Sequence, residues 1–378
     1  MAALGHPQRH FPAIHVGGTN GKGSTCAFLV AELSARGLRV GLYTSPHLVS
    51  VRERIMVGEA PISEDAFAEW AWRLRPEIER LDASFFEAVT AIAFADLGAR
   101  GVDIAVVEVG LGGRLDATNV LTPLVAVVTK IAREHTDYLG SDMAGIAREK
   151  AGIAKPGVPF VTGEPDPAIR AVLVAEAERL GAKPVRAVDA GRAVAAPLGL
   201  RGPHQAWNAR VAMAALDVLP ARFGRGPGDA VPPSFARASM PGRFDVRGPW
   251  IFDVAHNPDG MAVLIAALAG ASPRRPLHAL VGIRNDKEWP GMLAALAPVV
   301  DRLVLTAPPS LPPAQQWSGA ALAAWSAARA GAPPVVVELD FDRALADARR
   351  GAGTVLVTGS FHTVGDALAR LPGFAPLG

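Results

Sequence analysis

The sequence has 378 residues, half of them hydrophobic, enough for more than one buried core, so two domains are expected. A net charge of +2 gives no field that would draw nucleic acid or an acidic membrane, and no apolar run reaches the ~18–20 residues of a spanning helix. The single cysteine, Cys26, excludes an intrachain disulfide, and Met1 to Pro12 holds Gly, Pro and His where a signal peptide is apolar, so a soluble cytoplasmic protein is the expectation.

In chain order, Ala13 to Gly17 reads as a strand. A Gly-rich turn then leads to a helix from about Ser24 to Arg36, with Gly37 placed as its left-handed stop. Leu38 to Thr44 is the next strand, and Glu64 to Leu81 and Phe86 to Arg100 are helical by the spacing of their apolar residues. Asp103 to Val109 and Leu124 to Thr129 are almost wholly apolar and β-branched, as strands covered on both faces are. A second series alternates strand-like runs at Ile251 to Val254, His278 to Val281, Arg302 to Thr306, Val335 to Leu339 and Thr354 to Val357 with helical segments. The stretches Gly224 to Pro233 and Met240 to Pro249 are rich in Gly and Pro and read as connections. The expected fold is therefore α/β: a domain with a mostly parallel sheet over residues 1–241, then a smaller Rossmann-like domain over 242–378.

The strongest local motif is His15-Val16-Gly17-Gly18-Thr19-Asn20-Gly21-Lys22-Gly23-Ser24-Thr25, after a strand and opening a helix. Glycines let backbone N–H groups point at phosphates, and a helix N-terminus adds positive potential. Lys22 supplies a mobile charge for the β- and γ-phosphates, and Ser24 or Thr25 a hydroxyl near magnesium. The usual nucleotide loop has its hydroxyl residue directly after the lysine, whereas here Gly23 intervenes, which points away from small GTPases and common kinases. The first domain thus reads as P-loop ATPase-type.

This loop resembles that of the Mur ligase superfamily, in its folylpolyglutamate synthase/dihydrofolate synthase branch. The likeness continues in order through Tyr43-Thr44-Ser45-Pro46-His47-Leu48 with Glu53-Arg54-Ile55, and through Glu108-Val109-Gly110-Leu111-Gly112-Gly113-Arg114-Leu115-Asp116-Ala117-Thr118-Asn119. It goes on through Glu134 to Gly140, Arg148 to Ile153, His204-Gln205 with Asn208, Pro241 to Phe244, Asp253 to Pro258, and Thr358-Gly359-Ser360. The family usually carries an N-terminal helical segment before a Leu-Gly-x-Pro-Gln stretch, whereas this sequence starts almost at it, with Leu4-Gly5-His6-Pro7-Gln8.

The resemblance implies an ATP- and magnesium-dependent ligase that joins glutamate to dihydropteroate or a reduced folate through an acyl phosphate. It implies phosphate contacts from Thr19, Asn20, Gly21, Lys22, Gly23 and Ser24, and further ATP contacts from Asn208, Arg243 in the interdomain linker, and Asp253. Ser45, Glu108 and His135 would be magnesium ligands, and Lys150 a carbamylated lysine helping to hold a second magnesium. From the residues alone, Glu108 is a hard donor ending a buried strand, His135 an ordinary loop histidine, Ser45 a turn serine and Lys150 an exposed helix lysine. His256 and Ser360 are candidates for positioning glutamate, though structural turn roles suit both. Ser84, Phe85, Phe86, Glu87 and Leu115 would meet the pterin, with one phenylalanine or both also readable as core. Domain closure would exclude water from the acyl phosphate.

The alternatives are a Mur-type ligase acting on a UDP-sugar peptide, a P-loop kinase or NTPase switch, and a non-enzymatic nucleotide-binding protein. The first usually carries a separate UDP-binding domain, for which there is no room before residue 13; Gly23 and the second α/β domain disfavour the next; Lys22, Glu108 and Lys150 together disfavour the last. The expected partners are small molecules, with no nucleic acid or membrane, and the expected state is a monomer.

Overall fold

In the computed structural model, residues 1–133, 140, 142–189, 194, 196–224, 228, 230–328 and 333–377 are described. They group into two units, one of residues 1–46, 51–199 and 205–239, the other of residues 47–50, 200–204 and 240–378.

In the first unit the wholly buried strand β1 (Ala13–Gly17) runs into α1 (Lys22–Ala35), which starts two residues earlier than the sequence suggests. Gly37 follows that helix at φ 80, the left-handed stop its position calls for. Next come β2 (Val40–Tyr43), the short β3 (Ile55–Val57) and β4 (Ala60–Pro61), then α2 (Glu64–Leu81) and α3 (Phe85–Ala99). The chain continues with β5 (Ile104–Glu108), β6 (Val125–Val128), α4 (Met143–Ala151), β7 (Phe160–Thr162), α5 (Pro167–Arg179), β8 (Val185–Ala187) and α6 (Gln205–Asp217). The sheet order is β4-β3-β2-β5-β1-β6-β7-β8, with β3 antiparallel to both β2 and β4 and every other pair parallel. Residues 104–107 and 125–128 are fully buried, because helices pack on both faces of the sheet and leave no face for polar alternation. Each such Val, Ile or Leu contributes roughly 1.5–3 kcal/mol of burial. Since β2, β5, β1 and β6 are parallel neighbours, their C-terminal ends lie side by side, with Val16 opposite Glu108 and Gly17 opposite Val128.

The second unit holds β9 (Asp245–Arg247), β10 (Trp250–Asp253), α7 (Pro258–Ala271), β11 (Leu277–Val281), α8 (Trp289–Leu296), β12 (Arg302–Leu305), α9 (Gly319–Ala327), β13 (Val335–Val337), α10 (Phe341–Arg349), β14 (Thr354–Thr358) and α11 (Phe361–Arg370). Its order is β13-β12-β11-β14-β10-β9, with only β9 antiparallel. Strand residues alternate between two cores: Ile251, Ala279, Leu303 and Leu356 join one, while Trp250, Leu280, Val304 and Val355 join the other.

The stretch Met240 to Pro249, expected as a linker, instead contains strand β9 and the turn into β10, and Arg243 belongs to this unit. Strands β3, β4, β7, β8 and β9 have two or three residues each, too short to show a period in sequence.

Candidate active site

The loop between β1 and α1 is shaped by contacts that admit only glycine at two positions. Gly18 (φ 131) and Gly21 (φ 92) lie where side chains are strained, and a Cβ would run into Thr129 Oγ1 at the first and Asn208 Oδ1 at the second. Thr129 Oγ1 lies 3.1 Å from Gly17 O and 2.9 Å from Asn20 O, so its one proton is shared between the two ends of the loop. The Thr19 and Asn20 N–H groups donate to Lys130 O at 2.8 and 3.3 Å. Thr19 Oγ1 donates to Ala132 O and accepts from Ala132 N–H, both at 3.1 Å. The Thr19 side chain is therefore committed to holding the loop against the segment after β6.

Lys22 lies over this loop, donating to Thr19 O at 3.1 Å with its ammonium 3.9 Å from Glu108 Oε1. Glu108 ends β5 only 3% exposed, and its other oxygen accepts from Ser45 N–H at 3.3 Å. The Ser45 hydroxyl has no hydrogen-bond partner among the described residues. Lys150, 4% exposed rather than on the surface, donates to Gly18 O at 2.9 Å. Ser24 is buried and accepts from Gln205 Nε2 at 3.3 Å, and Asn208 Nδ2 donates to Gln205 Oε1 at 3.0 Å. Gly23 and Thr25 are buried inside the first turn of α1, and Thr25 Oγ1 has no partner among the described residues. The structure thus brings together the loop, Ser45, Glu108, Lys150 and Asn208. His135 lies outside the described residues.

A second layer fixes this group. Asp116 accepts from the N–H groups of Gly110 (3.1 Å), Leu111 (2.8 Å) and Thr118 (2.9 Å), and from the Thr118 hydroxyl. Thr118 Oγ1 in turn lies 2.8 Å from His15 Nε2, so with its proton given to Asp116 it accepts from a histidine protonated at Nε2. Burial, with Lys155 nearby, pulls the His15 pKa down to about 3 and keeps the ring neutral. Arg54 is buried, carries its guanidinium 5.5 Å from the Phe85 ring, and acts electrostatically on Glu108 and Tyr43. Burial lowers its pKa, opposed by Tyr43 and Glu108, and pushes the Tyr43 hydroxyl up to about 12.

Of the residues expected at a pterin, Ser84 and Glu87 form a capping box at the start of α3. The Ser84 N–H and hydroxyl donate to Glu87 Oε2 at 2.8 and 2.7 Å, which holds the Glu87 carboxyl below its usual range. That pairing accounts for both side chains. Phe86 packs against the core and under Gly110, where a Cβ would strike its ring. Phe85 and Leu115, by contrast, are 61% and 80% exposed, apolar faces open to a ligand.

In the second unit, Asp253 ends β10 and accepts from the Phe244 and Ala255 N–H groups, both at 2.9 Å. Its burial raises the carboxyl pKa, against the pull of Arg243. Arg243 lies with its guanidinium 5.3 Å from the Phe361 ring, and the His256 ring is 5.6 Å from the same phenylalanine. His256 Nδ1 lies 2.8 Å from Val254 O, which makes it the protonated nitrogen and leaves Nε2 as the acceptor. Ser360 is the N-cap of α11: it accepts from Thr363 N–H at 3.0 Å and lies 2.8 Å from Thr363 Oγ1, which donates to Gly282 O at 2.6 Å. Its hydroxyl is thus used within the fold.

Sequence reasoning missed Thr129 and the Asp116–Thr118–His15 chain, and gave Arg54 and Gln205 no role. Asp116, Thr118, Arg54 and Gln205 stood inside quoted motifs, but the contacts of Thr118 with His15 and of Gln205 with Ser24 join residues far apart in sequence. Among the described residues no three His, Cys, Asp or Glu side chains converge on one point. Magnesium needs few protein donors beside phosphate and water, and a buried carboxylate with a neighbouring unbonded hydroxyl fits that demand.

Two family models match the chain: the Mur ligase middle domain over residues 16–179 and the Mur ligase glutamate ligase domain over residues 242–361. The dihydrofolate synthase/folylpolyglutamate synthase of Mycobacterium tuberculosis is 39% identical over 354 residues, which span 81% of this chain and 72% of the relative. A structure of Escherichia coli FolC in complex with DHPP and ADP superposes with a TM-score of 0.84 at 33% identity, covering 97% of this chain and 90% of the FolC chain. A bifunctional folylpolyglutamate synthase/dihydrofolate synthase with Mn, AMPPNP and L-glutamate bound superposes at a TM-score of 0.82 and 34% identity, covering 97% of this chain and 91% of that one.

Proposed function

Because the chain belongs to the Mur ligase family, in the branch of dihydrofolate synthases and folylpolyglutamate synthases, we propose that it joins L-glutamate to dihydropteroate, to reduced folates, or to both, at the expense of ATP. The observation that carries this reading is the grouping of Lys22, Ser45, Glu108 and Lys150 around the glycine loop at the C-terminal ends of β1, β2 and β5. A parallel sheet opens its ligand sites at that edge.

Joining a carboxylate to an amine in water is uphill, so the acceptor carboxylate first takes the γ-phosphoryl group of ATP, giving an acyl phosphate and ADP. The glutamate amine then attacks the acyl carbon, phosphate leaves, and the amine gives up a proton. The loop and Lys22 hold the phosphates, and Lys22 offsets the charge of two anions brought together. Glu108 and Ser45, with His135, are the proposed holders of the divalent ion, which when bound neutralises phosphate oxygens. Two ions and a carbamylated Lys150 are part of the same reading, supported by the burial of Lys150 against the glycine loop. Phe85 and Leu115 offer the apolar surface for a flat heterocycle. In the second unit, His256 Nε2 is proposed to position glutamate, and Arg243 and Asp253 to contact ATP. A monomer in the cytoplasm completes the proposal; no helix among the described residues is long and apolar enough to cross a membrane.

The test is phosphate release by the purified protein with MgATP and glutamate, with 7,8-dihydropteroate or a tetrahydrofolate as acceptor. Release with both identifies a bifunctional enzyme, and release with tetrahydrofolate alone an extending one. Release that ignores glutamate, or needs neither acceptor, refutes the proposal.

A further inference from the structure

The second unit carries a pocket at the edge of its sheet opposite Asp253 and Ser360. It lies where β10 and β14 begin and α7 ends, with a volume of about 480 Å³, within the ~300–1,000 Å³ range of small-molecule sites. Phe244, Val246 and Ile251 supply an apolar lining, and Arg201 and Arg274 bring two guanidinium groups to the same pocket. Neither arginine has an ion pair or side-chain hydrogen bond among the described residues. The hydroxyls of Ser272 and Thr354, also in the lining, have no partner there either. Ser272 (φ 45) and Phe244 (φ 46) both hold left-handed backbone without being glycine, a strain that recurs at ligand sites.

We propose that this pocket binds a small aromatic dicarboxylate, its ring on the apolar lining at Val246, over the buried Phe244 and Ile251, and its carboxylates on Arg201 and Arg274. A guanidinium matches a carboxylate through two parallel N–H donors, and two unengaged guanidiniums call for two such groups. The apolar lining distinguishes this ligand from a bare anion, which gains nothing from Phe244, Val246 or Ile251. The inference does not rest on the proposed reaction, since no lining residue is among those assigned to it.

The experiment is a titration of the full chain with p-aminobenzoyl-L-glutamate, followed by amide chemical shifts. Saturable shifts are expected at Gly248, Gly353 and Thr354, separable from any at Gly110 and Leu111 that report the first unit. The Arg201→Ala/Arg274→Ala protein, altered only at exposed side chains, should bind at those amides about tenfold more weakly or worse. L-Glutamate alone, which lacks the ring, should not saturate them. No shift at the three amides, undiminished binding by the double variant, or equal binding of glutamate would each overturn the proposal.

Discussion

Replacing Glu108 by Gln keeps the side chain's shape and removes its charge. At 3.9 Å and an effective dielectric constant of ~20, the attraction between Lys22 and Glu108 is about 4 kcal/mol. Unfolding returns both groups to water and recovers their hydration, so the net loss of stability should be only ~1–2 kcal/mol, a melting shift of a few degrees. Activity should suffer more. A divalent ion carries twice the charge of Lys22, so a carboxylate bound to it loses at least as much attraction. If ~3–4 kcal/mol of that survives dehydration, kcat/KM falls roughly 100- to 1,000-fold. The assay is glutamate-dependent ADP formation across a magnesium titration, beside a thermal melt. A Glu108→Gln protein within threefold of the parent at every magnesium concentration would refute the assignment of Glu108 as a metal ligand.

Other predictions follow from the same geometry. Gly18→Ala should abolish nucleotide binding in a fluorescence titration, because its Cβ collides with Thr129 and its φ of 131 is strained for alanine. Lys150→Ala should lose activity that formate or acetate restores in part; full activity without rescue removes the carbamate role. Ser84→Ala should lower stability by ~1 kcal/mol in denaturant melts while leaving the acceptor KM unchanged, since Ser84 is engaged as a cap. His15 is depressed to about 3, so the unfolded chain binds a proton there that the folded one does not. Its contribution is complete above pH 6.5 and is lost as pH falls toward 3; near pH 4.5 the loss is about 3 kcal/mol. A His15→Gln protein should show a smaller drop in denaturation free energy between pH 7 and pH 4.5, and an unchanged drop would count against buried neutral His15.

The central strands were legible because both their faces are buried, which writes an unbroken apolar run into residues 104–107 and 125–128. The glycine loop was legible because its chemistry is local. Lys150 was not: by itself it looks like a helix lysine beside Glu149, and only the fold brings its ammonium to Gly18 O. Thr129 likewise gains meaning from Gly17 and Asn20, more than a hundred positions earlier. Strand β9 escaped notice because Gly and Pro around it suggest a connection, while its pairing is decided by β10.

Residues 47–50 and 200–204 group with the second unit although they are written within the first, so the backbone passes between the units five times. Leu48 packs against the cluster that contains Phe252, Val357 and Val364, and Gly365 approaches its carbonyl so closely that no side chain fits between. A fragment cut at residue 240 would therefore leave part of its own interior behind. During synthesis the ribosome delivers Leu48 more than two hundred residues before the strands that cover it, so the second unit can finish folding only on a chain that is already complete at its other end.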